Sequence, residues 1–115
     1  MKNNAVVIAD SDGVIRFWSP GAEAAFGHLA SDAVGQTLAL IVPEEYREAH
    51  WRGFRRAIEA GSAAAEGEPG PFPVLLADGE IVAFPGRLSL VREPAGGVVG
   101  ALVVFGPTIA EVVGG

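Results

Sequence analysis

The order of apolar and polar positions divides the chain into strand-like runs at both ends and helical patterns between them. The end segments contain short β-branched or apolar runs, separated by turns rich in Gly, Pro and Asp. Two Asp-Gly pairs, Asp12-Gly13 and Asp78-Gly79, favour tight hairpin turns. The pattern therefore predicts five strands, at residues 5–9, 14–19, 72–77, 80–91 and 98–105.

Residues 42–61, VPEEYREAHWRGFRRAIEAG, have the spacing of one long amphipathic helix. Tyr46, His50 and Phe54 recur every four residues and therefore share one face of that helix. Pro43 suits its first turn, because the missing N–H of proline is not needed there. The pattern places the imidazole of His50 in the middle of an apolar stripe.

This order of strands, helices and strands again is typical of the α+β class, in which helices cover one face of an antiparallel sheet. The length of 115 residues is that of a single domain. No internal repeat or domain boundary interrupts it.

Composition narrows the function. The net charge of −6 and the pI near 4.7 argue against binding of nucleic acid by this domain. The absence of cysteine excludes disulfides, thiolate metal sites and covalently attached haem, and is consistent with a cytoplasmic protein. No apolar run reaches the ~18 residues of a membrane span.

An enzymatic function is not expected from this sequence. Glu44 and Glu45 are typical of a helix start, and Ser19 and Ser31 of turns and caps. The sequence contains no dinucleotide-binding, phosphate-binding, zinc-protease or nucleophile-elbow motif.

His50 is the candidate for binding chemistry. The small residues Ala49 and Gly53 flank it and leave space beside the imidazole. Helical spacing alone leaves three interpretations open: a ligand, a core histidine held by a hydrogen bond, or a residue with no special role.

Three strings in this chain resemble PAS domains: DSDGVIRFWSPGAEAAFG at 10–27, VGQTLALIVPEEYREAHWRGF at 34–54 and ADGEIVAFPGRLSLV at 77–91. The resemblance implies one PAS domain over 1–115, with a core at about 5–105 and a tail at 106–115. It also implies a five-stranded antiparallel sheet of order 2-1-5-4-3, with helices closing over a pocket on one side. Such a domain is a sensory or interaction module, whose ligand the family does not define.

Pro43, Tyr46, Arg47 and His50 have the spacing of the haem-binding helix in FixL-type and Dos-type PAS domains. The resemblance implies that His50 binds the iron of b-type haem, and that Arg56 meets a haem propionate. The distal Arg and Met of those sensors have no counterpart here, so the sensed gas or redox state stays open.

The residues expected around such a cofactor follow from the helix face and from alternation along the strands. Apolar strand residues would line a haem pocket, or would be ordinary core if no pocket exists. The predicted cofactor-binding residues, with His50 also the metal ligand, are Tyr46, His50, Phe54, Arg56, Leu76, Leu88, Leu90, Leu102 and Val104.

Sensory modules of this kind report to another protein or to an output domain, so a signalling partner is expected. Association as a homodimer, through the outer face of the sheet or the flanking termini, is a further expectation. The alternative to a haem sensor is a non-haem PAS module that serves protein contacts or binds a small organic ligand.

Overall fold

A computed structural model describes residues 4–64 and 66–106 of the chain. The predicted tail at 106–115 lies outside the described residues, apart from Gly106. The strands are β1 (Ala5–Asp10), β2 (Ile15–Trp18), β3 (Gly70–Leu75), β4 (Ile81–Arg92) and β5 (Val98–Phe105). The helices are α1 (Pro20–Phe26), α2 (Ala30–Ala33) and α3 (Arg47–Ala60), with 3-10 turns at Leu38–Leu40 and Glu44–Tyr46.

The five strands form one antiparallel sheet of order β2-β1-β5-β4-β3, which confirms the predicted topology and the α+β class. The first hairpin follows from Asp10, whose Oδ1 accepts hydrogen bonds from the backbone N–H groups of Asp12 and Val14. Gly13 closes this turn with φ +80°, a conformation that favours glycine.

The core lies between the sheet and the helices, on one face only. Phe26 of α1 is at its centre and is almost fully buried. Its ring contacts Phe84 and Phe105 edge-on at centroid distances of 5.1 Å, and Trp18 at 5.7 Å. Such aromatic pairs stabilise the fold beyond the area they bury.

The helix predicted over 42–61 begins later than expected. Pro43 has ψ 142°, outside the helical range, and its carbonyl accepts a bond from the Tyr46 N–H. That bond closes a 3-10 turn, and the α-helix starts only at Arg47. His50 therefore lies in the first turn of α3 and not in its middle.

The other end of α3 is tied to β4 by a polar cluster. Gly61 ends the helix in the left-handed conformation, and its carbonyl accepts a bond from Arg92 Nη2. Arg92 also pairs with Glu66, which accepts a further bond from the Leu90 N–H. These contacts hold the segment after α3 against β4 where β3 no longer covers it.

Between its two ends, α3 does not pack tightly on the sheet. None of its fourteen residues is buried, although one of its faces is apolar. An amphipathic helix is usually held by burial of that face, so the space beneath α3 requires an explanation.

Candidate ligand-binding site

A cavity of about 450 Å³ occupies the space between α3 and the sheet. This volume is within the range of pockets for small ligands, roughly 300–1,000 Å³. The sheet side of the cavity is formed by Phe72, Val74, Leu88, Leu90, Ala101, Val103 and Phe105.

The helix side is formed by one stripe along α3 and the turn before it. This stripe consists of Tyr46, Ala49, His50, Gly53, Phe54, Ala57 and Ile58. None of the described residues that line the cavity is charged. The cavity therefore suits an apolar ligand that makes few polar contacts, and His50 and Tyr46 are the side chains that could provide them.

His50 has an unusual environment for a half-buried imidazole. Its Nδ1 is sealed from solvent and has no hydrogen-bond partner among the described residues. The ring instead contacts Trp51 edge-on at 4.9 Å and lies roughly parallel to Phe54 at 6.1 Å, both measured between centroids. Among the described residues, Nδ1 of His50 therefore lacks the hydrogen bond that a core histidine would be expected to make.

Burial also sets the charge state of this imidazole. Desolvation lowers the pKa of His50 below its ordinary value of 6.5, because the protonated ring loses its hydration. The ring is therefore neutral at pH 7, which is the form that can bind a metal ion or accept a proton. Since Nδ1 is sealed, Nε2 is the nitrogen that a ligand could reach.

Five of the predicted site residues line the cavity: Tyr46, His50, Phe54, Leu88 and Leu90. Arg56 does not line it and is exposed on α3. Leu76 follows the end of β3 and packs against the core, outside the cavity lining.

The predicted face of β5 is wrong by one residue. Leu88 pairs with Val103, and Leu90 pairs with Ala101, so these residues share the inner face. Leu102 and Val104, which were expected in the pocket, belong to the opposite face. The run VVGALVVF has no polar residue, so period-two alternation cannot show which face is inward.

The sequence analysis missed Phe72, Ala101, Val103 and Phe105, all of which line the cavity. The one available signal was Phe105, since a bulky aromatic at a strand end favours the inward face. Side chains alternate along a strand, so an inward Phe105 would also have placed Val103 and Ala101 on the inward face.

The remaining chemistry is sparse within the described ranges. Among the described residues, no group of three or more His, Asp or Glu side chains is arranged to hold a metal ion. Among the helices of residues 4–64 and 66–106, none has the length and apolar character to cross a membrane.

A five-stranded antiparallel sheet of this order, with helices over one face, is the arrangement of the PAS fold. The family model for the PAS fold matches residues 3–111, and the chain belongs to this family. PAS domains are sensory modules of signal transduction. This confirms the family and fold expected from the three strings.

Curated relatives are similar over part of the chain. An uncharacterized protein of Azorhizobium caulinodans is 33% identical over 95 residues, which are 82% of this chain and 13% of that protein. The oxygen sensor protein DosP of Escherichia coli is 33% identical over 63 residues, 55% of this chain and 8% of that sensor. The chain thus spans only a small share of these relatives.

Solved structures share the fold at low identity. A PAS domain from Colwellia psychrerythraea has a TM-score of 0.77 and 23% identity, covering 94% of this chain and 87% of that one. The RpfR quorum-sensing receptor PAS domain of Cronobacter turicensis, in complex with BDSF, has a TM-score of 0.72 and 18% identity. That comparison covers 95% of this chain and 96% of the other.

Proposed function

We propose that this domain senses its signal by binding an apolar ligand in the cavity under α3, and that the ligand is b-type haem held by His50. The observation that carries the proposal is the imidazole of His50 on the wall of a cavity with no charged lining residue among those described. Burial lowers the pKa of this imidazole, which favours its neutral form. Neutral imidazole is a common axial ligand of haem iron. The partial likeness to DosP also supports this choice.

The residues present fit such a group in most respects. Leu88, Leu90 and Val103 would exclude water from one side of a flat ligand, and Phe54 would hold the His50 ring in place. Bound haem would supply an iron that can take a diatomic gas or change its oxidation state. No described lining residue is cationic, so the acidic groups of the ligand would have to lie at the cavity mouth.

His50 differs from most metal-binding histidines in the hydrogen bonding of its second ring nitrogen. These usually donate from the second ring nitrogen to an acceptor, which raises the basicity of the ligand. His50 Nδ1 has no such acceptor among the described residues. We therefore expect a weakly basic ligand whose orientation depends on Trp51 and Phe54.

Reconstitution with hemin tests the proposal directly. The wild-type protein should take up one equivalent of hemin and develop a Soret absorption band, which carbon monoxide shifts after reduction. His50→Ala should abolish or strongly alter that band. His28→Ala is the matched control, because His28 does not line the cavity, and it should leave the spectrum unchanged.

Failure of wild type to bind stoichiometric hemin would rule out the haem proposal. The second candidate is then an apolar organic ligand, which the uncharged lining and the unsupported Nδ1 favour. The fold likeness to the RpfR receptor domain, whose structures hold BDSF or C12:0, makes dodecanoate a reasonable probe. Native mass spectrometry with dodecanoate would detect such binding, and no complex at a tenfold excess would reject it.

We also propose that the partner of this domain is a second copy of itself, associated through the outer face of the sheet. PAS domains mediate signalling and dimerisation, and this face carries Ile8, Leu102 and Val104 with the 45% exposed Phe17. Analytical ultracentrifugation should show a dimer that Phe17→Glu weakens. A monomer at high micromolar concentration would reject the homodimer.

A further inference from the structure

The cavity is closed along one flank of α3. On that flank the Trp51 indole lies directly against Gly13 of the first hairpin turn. Phe54 contacts the same indole edge-on, at a centroid distance of 5.7 Å. These aromatic contacts close the seam between α3 and the β1–β2 turn.

The opposite flank of α3 is open. Ala49 and Gly53 line the cavity there, yet both are exposed to solvent. Tyr46, one turn earlier, also lines the cavity and is 46% exposed. Residues three or four positions apart lie next to each other on a helix, so these three form one continuous edge.

The other side of this opening is the edge strand of the sheet. Pro73 of β3 lines the cavity and is exposed as well. β3 is the last strand in the sheet order, so no other strand within residues 4–64 and 66–106 pairs with its outer edge. The exposed lining residues therefore place the mouth of the cavity between α3 and β3, and the four residues that mark it have small or ring side chains.

Gly53 is the residue at this mouth that has no side chain. Glycine is unfavourable inside a helix relative to alanine, and helical packing does not require it here. A β-carbon built on Gly53 meets no other atom within 4 Å, so a side chain would have room. The space that Gly53 leaves open belongs to the mouth and not to a contact between elements.

We infer that Gly53 is a specificity-determining residue at the mouth between α3 and β3, where its missing side chain admits a broad, flat apolar ligand. The inference rests on the proposed function, because it assumes that the cavity takes such a ligand. The neighbouring positions on the same face of α3, four residues away on either side, are also small: they are Ala49 and Ala57. A branched side chain at position 53 would project between them and narrow the entrance.

Two substitutions at position 53 separate this role from a structural one. Gly53→Ala should raise the melting temperature by ~4 °C through helix propensity, and should nevertheless slow hemin association. Gly53→Leu should slow association by about tenfold. Arg55→Leu is the matched control, because it adds the same side chain on the solvent side of α3, and it should bind as wild type does.

Stopped-flow mixing with hemin measures these rates, and the dye 1-anilinonaphthalene-8-sulfonate gives a second readout that needs no iron ligation. If the dye enters wild type but hemin does not bind, the haem proposal fails while the mouth can still be tested with the dye. Slower entry of either probe into Gly53→Leu, but not into Arg55→Leu, supports the inference. Equal rates for Gly53→Leu and wild type would overturn it, and so would a wild type that admits neither probe.

Discussion

Trp51 and Gly13 are in direct contact: a β-carbon on Gly13 would overlap the six-membered ring of the Trp51 indole. This contact joins the first turn and a half of α3, which carries His50, to the turn between β1 and β2. Gly13 is required there for two reasons, its φ of +80° and the space that the indole occupies.

Gly13→Ala should therefore lower the free energy of unfolding more than the same substitution at an ordinary turn glycine does. Strained backbone costs about 1–3 kcal/mol, and displacement of the indole adds a cost of similar size. Gly79→Ala is the control, since Gly79 is also in an Asp-Gly turn with φ +93°, but its β-carbon would meet nothing within 4 Å. Urea denaturation measures both, and equal losses would show that the Trp51 contact is unimportant.

The lowered pKa of His50 predicts a pH dependence of stability. The unfolded chain binds the proton near pH 6.5, whereas the folded chain binds it only at lower pH. The unfolded state thus holds more protons between these values, so stability is complete above pH 6.5 and falls as the pH is lowered. His50→Gln should flatten the loss of stability below pH 6.5 in thermal denaturation. If only His28→Gln flattened it, this assignment would be wrong.

The inward face of β5 can be tested with two neighbouring residues. Val103 lines the cavity, and Leu102 lies on the outer face of the sheet. Val103→Phe should fill part of the cavity and reduce hemin uptake, with the remaining binding weakened about tenfold. Leu102→Phe should leave uptake unchanged. The reverse pattern, measured by Soret titration, would show that the predicted phase of the strand was right after all.

The polar cluster after α3 predicts that the Leu90 amide of β4 is protected from hydrogen exchange. Arg92 is the main cause of the lowered pKa of Glu66, whose carboxylate also accepts the Leu90 N–H. Glu66→Gln should speed hydrogen exchange of the Leu90 amide at pH 7, whereas Glu68→Gln, at an exposed position in the same loop, should not. In wild type this protection should be present above pH 4.5 and decline as the carboxylate is protonated below it. Unchanged exchange in Glu66→Gln would contradict the role of the cluster.

Local patterns were sufficient for most of the fold. The strand at 98–105 was predicted with its observed bounds, and the two Asp-Gly pairs are turns between strands. Hairpin chemistry and β-branched runs act over a few residues, so they can be read without knowing the neighbours. Sheet order came from the likeness to PAS domains, since strand pairing across the chain has no local signal.

The candidate site was predicted less completely, for physical reasons that individual residues show. The i, i+4 spacing placed Tyr46, His50 and Phe54 on one face, and the structure keeps them together on the cavity wall. The inward face of β5 depended on its register with β4, which pairs Leu90 with Ala101. A wholly apolar strand does not encode that choice in its own pattern.

The sequence by itself therefore determined the number and order of the strands, the helix face around His50 and the family, but not where α3 begins. Only the tertiary structure decided that α3 is held off the sheet, that His50 Nδ1 has no hydrogen-bond partner among the described residues and that Gly53 lines the cavity beneath α3. These properties depend on distances between segments far apart in the chain, such as Trp51 against Gly13 and Arg92 against Gly61. Propensity and periodicity describe a residue relative to its near neighbours, whereas a cavity is the space that distant segments leave unfilled.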